Sequence, residues 1–179
     1  TTTVLDHSLT YEKLVNGTLG FVIPEMFGAK GDGITDDTEA IKNALLENSN
    51  LYFPNGIYII SESITLSKST NIKGEGQTLN WGVTGGAILK GTHDDYIFKC
   101  SWGNQNNFYK INFDGKGIHT PCSAFIVECG FTGHTGIYHS RVTTIDRCVF
   151  RYCSKIPSRS IKLHSLSMVQ SSLSATGRS

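Results

Sequence analysis

The stretch Met26-Phe27-Gly28-Ala29-Lys30-Gly31-Asp32-Gly33-Ile34-Thr35-Asp36-Asp37-Thr38-Glu39-Ala40-Ile41 constrains this chain more than any other. Gly28, Gly31 and Gly33 fall within six positions and permit close backbone approach and positive-φ turns. Between two of them, Asp32 can fold its carboxylate onto nearby amides as an Asx-turn. Asp36 then reads as a helix N-cap, with Glu39 completing a capping box and Asp37 favourable to the helix dipole. Ile41, Ala44 and Leu45 share one face of that helix, Lys42, Asn43 and Glu47 point away, and Asn48-Ser49-Asn50 ends it.

The same spacing excludes several sites. The glycine order reverses the dinucleotide fingerprint, and no long apolar strand precedes it. No Gly-Lys-Ser/Thr follows, so the loop is not a phosphate-binding P-loop. Taken as a calcium loop from Asp32, it places Asp37 where glycine is required and Asn43 where a bidentate Glu belongs. Turn and cap chemistry accounts for Asp32, Asp36 and Asp37 without a catalytic role.

Beyond the helix the texture changes to short apolar runs punctuated by Gly, Asn, Ser and Pro. Leu51-Tyr52-Phe53, Asn55-Gly56 and Ile57-Tyr58-Ile59-Ile60 read as strand, turn, strand. Ile64–Leu66, Asn71–Gly76, Ala87–Lys90, Tyr96–Phe98, Tyr109–Phe113, Ala124–Val127 and Thr144–Phe150 continue the series. Phe108, Ile111 and Phe113 are echoed by Ile145, Cys148 and Phe150 at a constant offset of 37 residues. Such alternation of apolar and polar positions is what a solenoid strand shows, with a β-sandwich as the rival arrangement. Because 37 residues exceed a coil of about 20–25, the offset implies an inserted loop near 115–121 or 130–136.

The string from Phe27 through Thr38 and its Ala-Ile helix is similar to the opening signature of the pectate-lyase-like superfamily. That group includes polygalacturonase-like glycosidases and phage tailspike depolymerases. The phrase Tyr52-Phe53-Pro54-Asn55-Gly56-Ile57-Tyr58, leading to Ile72-Lys73-Gly74-Glu75-Gly76, resembles its first coil. The resemblance implies an all-β fold, a right-handed parallel β-helix whose N-terminal mouth is covered by a capping α-helix. In that reading, Gly28, Gly31, Asp32, Gly33, Asp36, Asp37 and Glu39 form the structural cap motif. Residues 1–22 are then a lead-in or linker, and residues 23–156 hold the cap and first coils. Residues 157–179 lose the coil texture at Pro157 and read as a Ser-rich tail, either disordered or out of frame, with a short helix across 161–172 as an improvised cap.

Composition narrows the partners. Lys and Arg number 16 against 15 Asp and Glu, with no block of like charge, so neither a nucleic-acid arm nor an acidic-surface binder is indicated. No run approaches the roughly 20 apolar residues that span a bilayer. The five cysteines, Cys100, Cys122, Cys129, Cys148 and Cys153, lack a C-x-x-C pair and read as free thiols, with no metal and no cofactor expected.

Cleaving a polysaccharide requires either two carboxyl groups flanking the glycosidic bond, or a base and a cation beside a uronate. The candidate catalytic residues are Asp94, Asp95, Asp114 and Asp146, with His93, His134, His139, Arg141 and Arg147 as basic neighbours. His93-Asp94-Asp95 also fits a turn in which the carboxylates cap amides, and Asp146 also fits a solvated strand position. Gly133-His134-Thr135-Gly136 departs from the Gly-His-Gly of polygalacturonases, and the accompanying acidic elements are missing, so that active site is not carried over. Trp81, Trp102 and Tyr109 are the candidate carbohydrate-binding residues, their rings either stacking on pyranose faces or covering the flank of the helix.

The resemblance implies a phage or prophage tailspike that binds and depolymerises a bacterial surface polysaccharide as a homotrimer, on a virion tail or outside the cell. Its catalytic coils would lie beyond this chain. A bacterial extracellular glycosidase or lyase, and a non-catalytic carbohydrate-binding or virion structural protein, are the alternatives.

Overall fold

The computed structural model describes residues 20–76, 85–133, 137–139, 143–151, 153, 161–163 and 166–169. Its strands run in three sheets. Sheet A holds β2 (Asn50–Phe53), β5 (Thr70–Gly74), β8 (Asn106–Tyr109), β11 (Ala124–Val127), β14 (Thr143–Asp146) and β16 (Ile161–Leu163). Sheet B holds β1 (Asp32–Asp36), β3 (Gly56–Ile60), β6 (Ala87–Gly91), β9 (Asn112–Asp114), β12 (Gly130–Thr132), β15 (Cys148–Arg151) and β17 (Leu166–Val169). Sheet C holds β4 (Ile64–Leu66), β7 (Phe98–Cys100), β10 (Ile118–Thr120) and β13 (Ile137–His139). Every pairing is parallel, and the chain visits A, B and C in turn, so each coil hydrogen-bonds only to the coils before and after it. This is the expected parallel β-helix.

Period-two alternation decides which side chains fill the interior: β4 and β5 read buried, exposed, buried along their length. Register then stacks the buried residues into columns. Sheet A contributes Leu51, Ile72, Phe108, Ile126 and Ile145, and sheet C contributes Ile64, Phe98, Ile118 and Ile137. Sheet B contributes Tyr58, Leu89, Phe113, Phe131 and Phe150. The last three rings lie nearly parallel, at 5.1 Å and 9° and then 4.9 Å and 10°.

This register corrects the reading of the 37-residue echo. Phe113 pairs with Phe131, and Phe131 in turn pairs with Phe150. The echo therefore spans two short coils, not one coil with an insertion. The segments expected to loop out instead contribute β10 and β12.

Coils this short are possible because the corner between sheets A and B is a near-minimal turn. Lys110, Glu128 and Arg147 occupy it with φ of 54°, 53° and 49°, a left-handed conformation unusual for residues with a Cβ. Their side chains form a charge ladder, Glu128 Oε2 lying 3.6 Å from Lys110 Nζ and Oε1 2.9 Å from Arg147 Nη2.

At the N-terminal mouth, the α-helix α1 (Thr38–Glu47) buries Ile41, Ala44 and Leu45, as its spacing predicts. The roles of the acidic residues around it differ from the capping box. Asp37 is the N-cap, but its carboxylate turns away from the helix to accept the amides of Lys30 (2.6 Å) and Gly31 (3.1 Å). Asp36 accepts the Thr38 amide and hydroxyl at 3.0 and 2.5 Å, and the Ser61 hydroxyl at 2.6 Å. Glu39 reaches forward to Lys42 at 2.8 Å instead of back to the cap. The reason is the loop itself: Gly31 at φ 59° helps present its own amide to Asp37, and a Cβ there would meet the Tyr58 ring at 3.0 Å. Asp32 forms the expected Asx-turn, accepting the amides of Ile34 and Thr35 at 2.9 and 2.7 Å. Gly33 (φ 75°) follows it, and Gly28 (φ 99°) closes the preceding 3₁₀ turn at Pro24–Phe27.

At the other end, β16 and β17 replace the short helix expected across 161–172. Leu163 lies in register with Ile145 and Met168 with Phe150, so the two runs extend sheets A and B by one further strand each. The boundary at residue 157 lies outside the described residues.

Candidate functional site

Sheet C presents an outward surface that combines aromatic, charged and imidazole side chains. Its strands are three residues long, so each coil offers a single outward side chain there. Register aligns Thr65, Lys99, His119 and Tyr138 into one column across four coils. The spacing between coils is about 4.8 Å, which brings successive side chains into contact.

The turn entering β7 completes the surface. Asp95 accepts the Tyr96 amide at 2.7 Å and pairs with the Lys99 ammonium, which together hold its carboxyl below the usual range, Lys99 having the larger effect. The Tyr96 ring lies 5.6 Å from the His119 ring and 6.3 Å from that of Tyr138. His119 and Tyr138 stack at 5.1 Å and 30°. Burial pushes the Tyr96 phenol up. Asp95, Tyr96, Lys99, His119 and Tyr138 together line a shallow recess of about 270 Å³, and Tyr138 remains 54% exposed at its rim.

Across the sheet, at the corner leading to sheet A, Trp102 projects with 67% of its surface exposed. Gly103, Asn104, Gln105, Cys122 and Ser123 surround it in a second recess of about 230 Å³. The Gly103 amide donates to Cys122 Sγ at 3.0 Å and the Gln105 amide to Ser69 Oγ at 3.1 Å, fixing the loop at both ends. Chemically, sheet C thus carries flat aromatic faces at both margins, with a carboxylate, an ammonium and an imidazole between them.

The residues singled out from sequence are distributed over several faces. Asp94 pairs with Lys116 at 2.6 Å, at the same turn as Asp95. Asp114 ends β9 in sheet B, beside Lys90 and Thr132 in the register. Asp146 ends β14 in sheet A, where Arg147 Nε approaches it at 3.4 Å. Tyr109 ends β8, in sheet A and half-buried. His93 points a ring nitrogen at the Ile60 carbonyl at 3.1 Å. His139 ends β13; Trp81, His134 and Arg141 lie outside the described residues. Among the described residues, Asp95 is therefore the one carboxylate that lines the Tyr96–Tyr138 recess.

Tyr96, Lys99, His119 and Tyr138 were not singled out by sequence reasoning. Their signal is faint: the triplets Phe98-Lys99-Cys100, Ile118-His119-Thr120 and Ile137-Tyr138-His139 share an outward middle residue, which becomes visible once the triplets are aligned on their first position. Among the described residues, no group of three or more His, Cys, Asp or Glu is placed to hold a metal ion, and none of the five cysteines is in a disulfide.

Comparison with known proteins gives concordant results. Residues 24–173 match the family model for rhamnogalacturonase A/epimerase, pectate lyase-like proteins. A capsule K30/K69-specific depolymerase of Klebsiella phage K64-1 is 29% identical over 109 residues, 58% of this chain and 14% of the relative. The preneck appendage protein of Bacillus phage PZA is 39% identical over 91 residues, 50% of this chain and 11% of the relative. The alignments thus span about a seventh or less of these relatives. Among solved structures, ORF18 of Geobacillus virus E2 superposes with a TM-score of 0.52 at 20% identity, covering 74% of this chain and 36% of that one. At that identity it speaks to the fold alone.

Proposed function

Because this chain belongs to the rhamnogalacturonase A/epimerase, pectate lyase-like family, we propose that it serves a phage or prophage tailspike that binds and depolymerises a bacterial surface polysaccharide. The observation that carries the reading is the outward column of sheet C, with Tyr96, His119 and Tyr138 grouped beside Lys99 and Asp95 and with Trp102 at the far margin. Pyranose rings offer apolar C–H faces that pack on aromatic rings, while their hydroxyls need the hydrogen-bonding groups found between them. The phage depolymerase and appendage protein among the relatives support a virion-borne role. Assembly of the full-length protein as a homotrimer belongs to the same reading, and light scattering on the full-length protein tests it.

A second reading has its own support. Glycoside hydrolysis takes two carboxyl groups about 5–9.5 Å apart, and among the described residues one lines the recess. In this reading the sheet C surface holds the glycan without cutting it.

Capsular and cell-wall polysaccharides immobilised on a sensor provide the test, with released reducing or unsaturated ends measured in parallel. Retention of one polysaccharide, weakened at least about tenfold by Tyr138→Ala at unchanged thermal stability, is expected. Retention that survives both Tyr138→Ala and Trp102→Ala would remove sheet C from the proposal. New ends released by the full-length protein and lost in its Asp95→Asn variant favour the depolymerase, and binding by the full-length protein without new ends favours the second reading.

A further inference from the structure

The interior of the helix is apolar in most columns, but one corner departs from this. Asn106 opens β8 and is completely buried, yet its Oδ1 and Nδ2 meet no oxygen or nitrogen partner in the protein, the Cys100 thiol being the side chain its amide engages. A buried primary amide left in that state is costly, and native interiors avoid it. Its surroundings are polar. Thr70 is the register neighbour on the preceding coil and Thr120 lies on sheet C of the next; both are buried. Their hydroxyls donate to backbone carbonyls, Thr70 to Lys68 at 2.9 Å and Thr120 to Cys122 at 2.8 Å. Each hydroxyl oxygen therefore keeps lone pairs to accept with. The Cys100 thiol, its pKa pushed up to about 12 by burial, has the side chains of both Thr120 and Asn106 beside it. A neutral thiol is a weak partner and does not satisfy an amide.

A small side chain neighbours the amide as well. The residue in register with Asn106 on the following coil is Ala124, whose methyl replaces the bulky side chains that fill the neighbouring columns. A small residue on one side, an unsatisfied amide and accepting hydroxyls nearby are the conditions under which a buried water is retained.

We infer that an ordered internal water occupies the corner between sheets C and A, bridging Asn106 to the Thr120 hydroxyl beside Cys100. It donates to Asn106 Oδ1 and to a threonine oxygen, and it accepts from Asn106 Nδ2. Its position gives it a structural task. Asn106 directly follows the Trp102–Gln105 loop, and the Gln105 carbonyl accepts the Thr70 amide at 3.2 Å. The hydrated amide thus ties the loop bearing Trp102 to two coils. The inference does not depend on what sheet C binds.

The direct test uses the wild-type protein. In a high-resolution crystal structure, or through water-to-side-chain magnetisation transfer to the Asn106 amide protons by NMR, a long-lived water within hydrogen-bond distance of Oδ1 is expected. An amide that instead bonds directly to a threonine, or a corner with no water signal, overturns the inference. Asn106→Leu is the second arm. Displacing a bridging water strands the Thr120 hydroxyl oxygen, so the melting temperature is expected to fall by about 3–6 °C. If the leucine variant is more stable than wild type, the amide was a dry defect and the inference fails.

Discussion

Truncating Phe131 to alanine gives the sharpest test of the column architecture. Its ring is fully buried and lies between Phe113 at 5.1 Å and Phe150 at 4.9 Å, both within 10° of parallel. Removing a buried Phe ring costs about 3–5 kcal/mol in transfer and cavity terms. Two lost stacking contacts place this site in the upper half of that range, because neither neighbour can move along the axis without breaking its own ladder. A value of about 4–5 kcal/mol, with a urea slope near 2 kcal/mol/M, lowers the unfolding midpoint by roughly 2 M. Phe125→Ala is the control: that ring sits on the adjacent strand of the same coil but is 42% exposed, so its loss should cost about 1 kcal/mol. Phe131→Leu should restore most of the midpoint, because the cavity is largely refilled. Unfolding is to be followed by strand circular dichroism together with a second probe, since a solenoid can open coil by coil. Midpoints of Phe131→Ala and Phe125→Ala within about 0.5 M of each other would refute the stacked register.

Three further outcomes follow from local geometry. Gly74→Ala should destabilise by at least about 2 kcal/mol, since its Cβ would lie 2.5 Å from the Lys110 carbonyl oxygen and 2.9 Å from Ala87 Cβ; an unchanged midpoint would show that the coils are not in that contact. Asp36 has its pKa lowered by the hydroxyls of Ser61 and Thr38. Its contribution to stability is therefore complete above the unfolded value near 3.9 and is lost as pH falls through the lower folded value. Melting temperature against pH should accordingly drop less steeply below about pH 4 in Asp36→Asn than in wild type, and parallel curves would contradict this. Glu128→Gln breaks the ladder to Lys110 and Arg147, whose cations are half-exposed or more, so a loss below about 1 kcal/mol that shrinks in high salt is expected from thermal melts.

The fold was legible because two independent signals agreed: a glycine-punctuated cap, and apolar positions alternating with period two. A local capping rule fails where the residue it applies to is engaged elsewhere in the fold. Asp36 and Asp37 fit the helix-capping pattern, but Asp37 is taken up by the amides of Lys30 and Gly31, a contact that only the folded glycine loop creates. The echo between Phe113 and Phe150 marks a real register, with one further coil between them. Ile126, Cys129 and Phe131 repeat the same spacing midway. The left-handed corner residues that make such short coils possible are Lys110, Glu128 and Arg147, so no glycine marks them in the sequence.

The site was less legible for a related reason. Asp95 and Trp102 stood out as residue types, but the column between them is built by register. The stretch of chain from Ile64 to its partner Phe98 is far longer than the stretches from Phe98 to Ile118 and from Ile118 to Ile137. No fixed period therefore links Thr65, Lys99, His119 and Tyr138, and a three-residue strand shows one outward side chain, too little for an alternation to be recognised. Interior packing sets the register, because Ile64, Phe98, Ile118 and Ile137 must stack. The outward column is fixed as a consequence. Substituting the surface residues should therefore alter binding while leaving the coil positions unchanged, whereas altering the inward residues should disturb both.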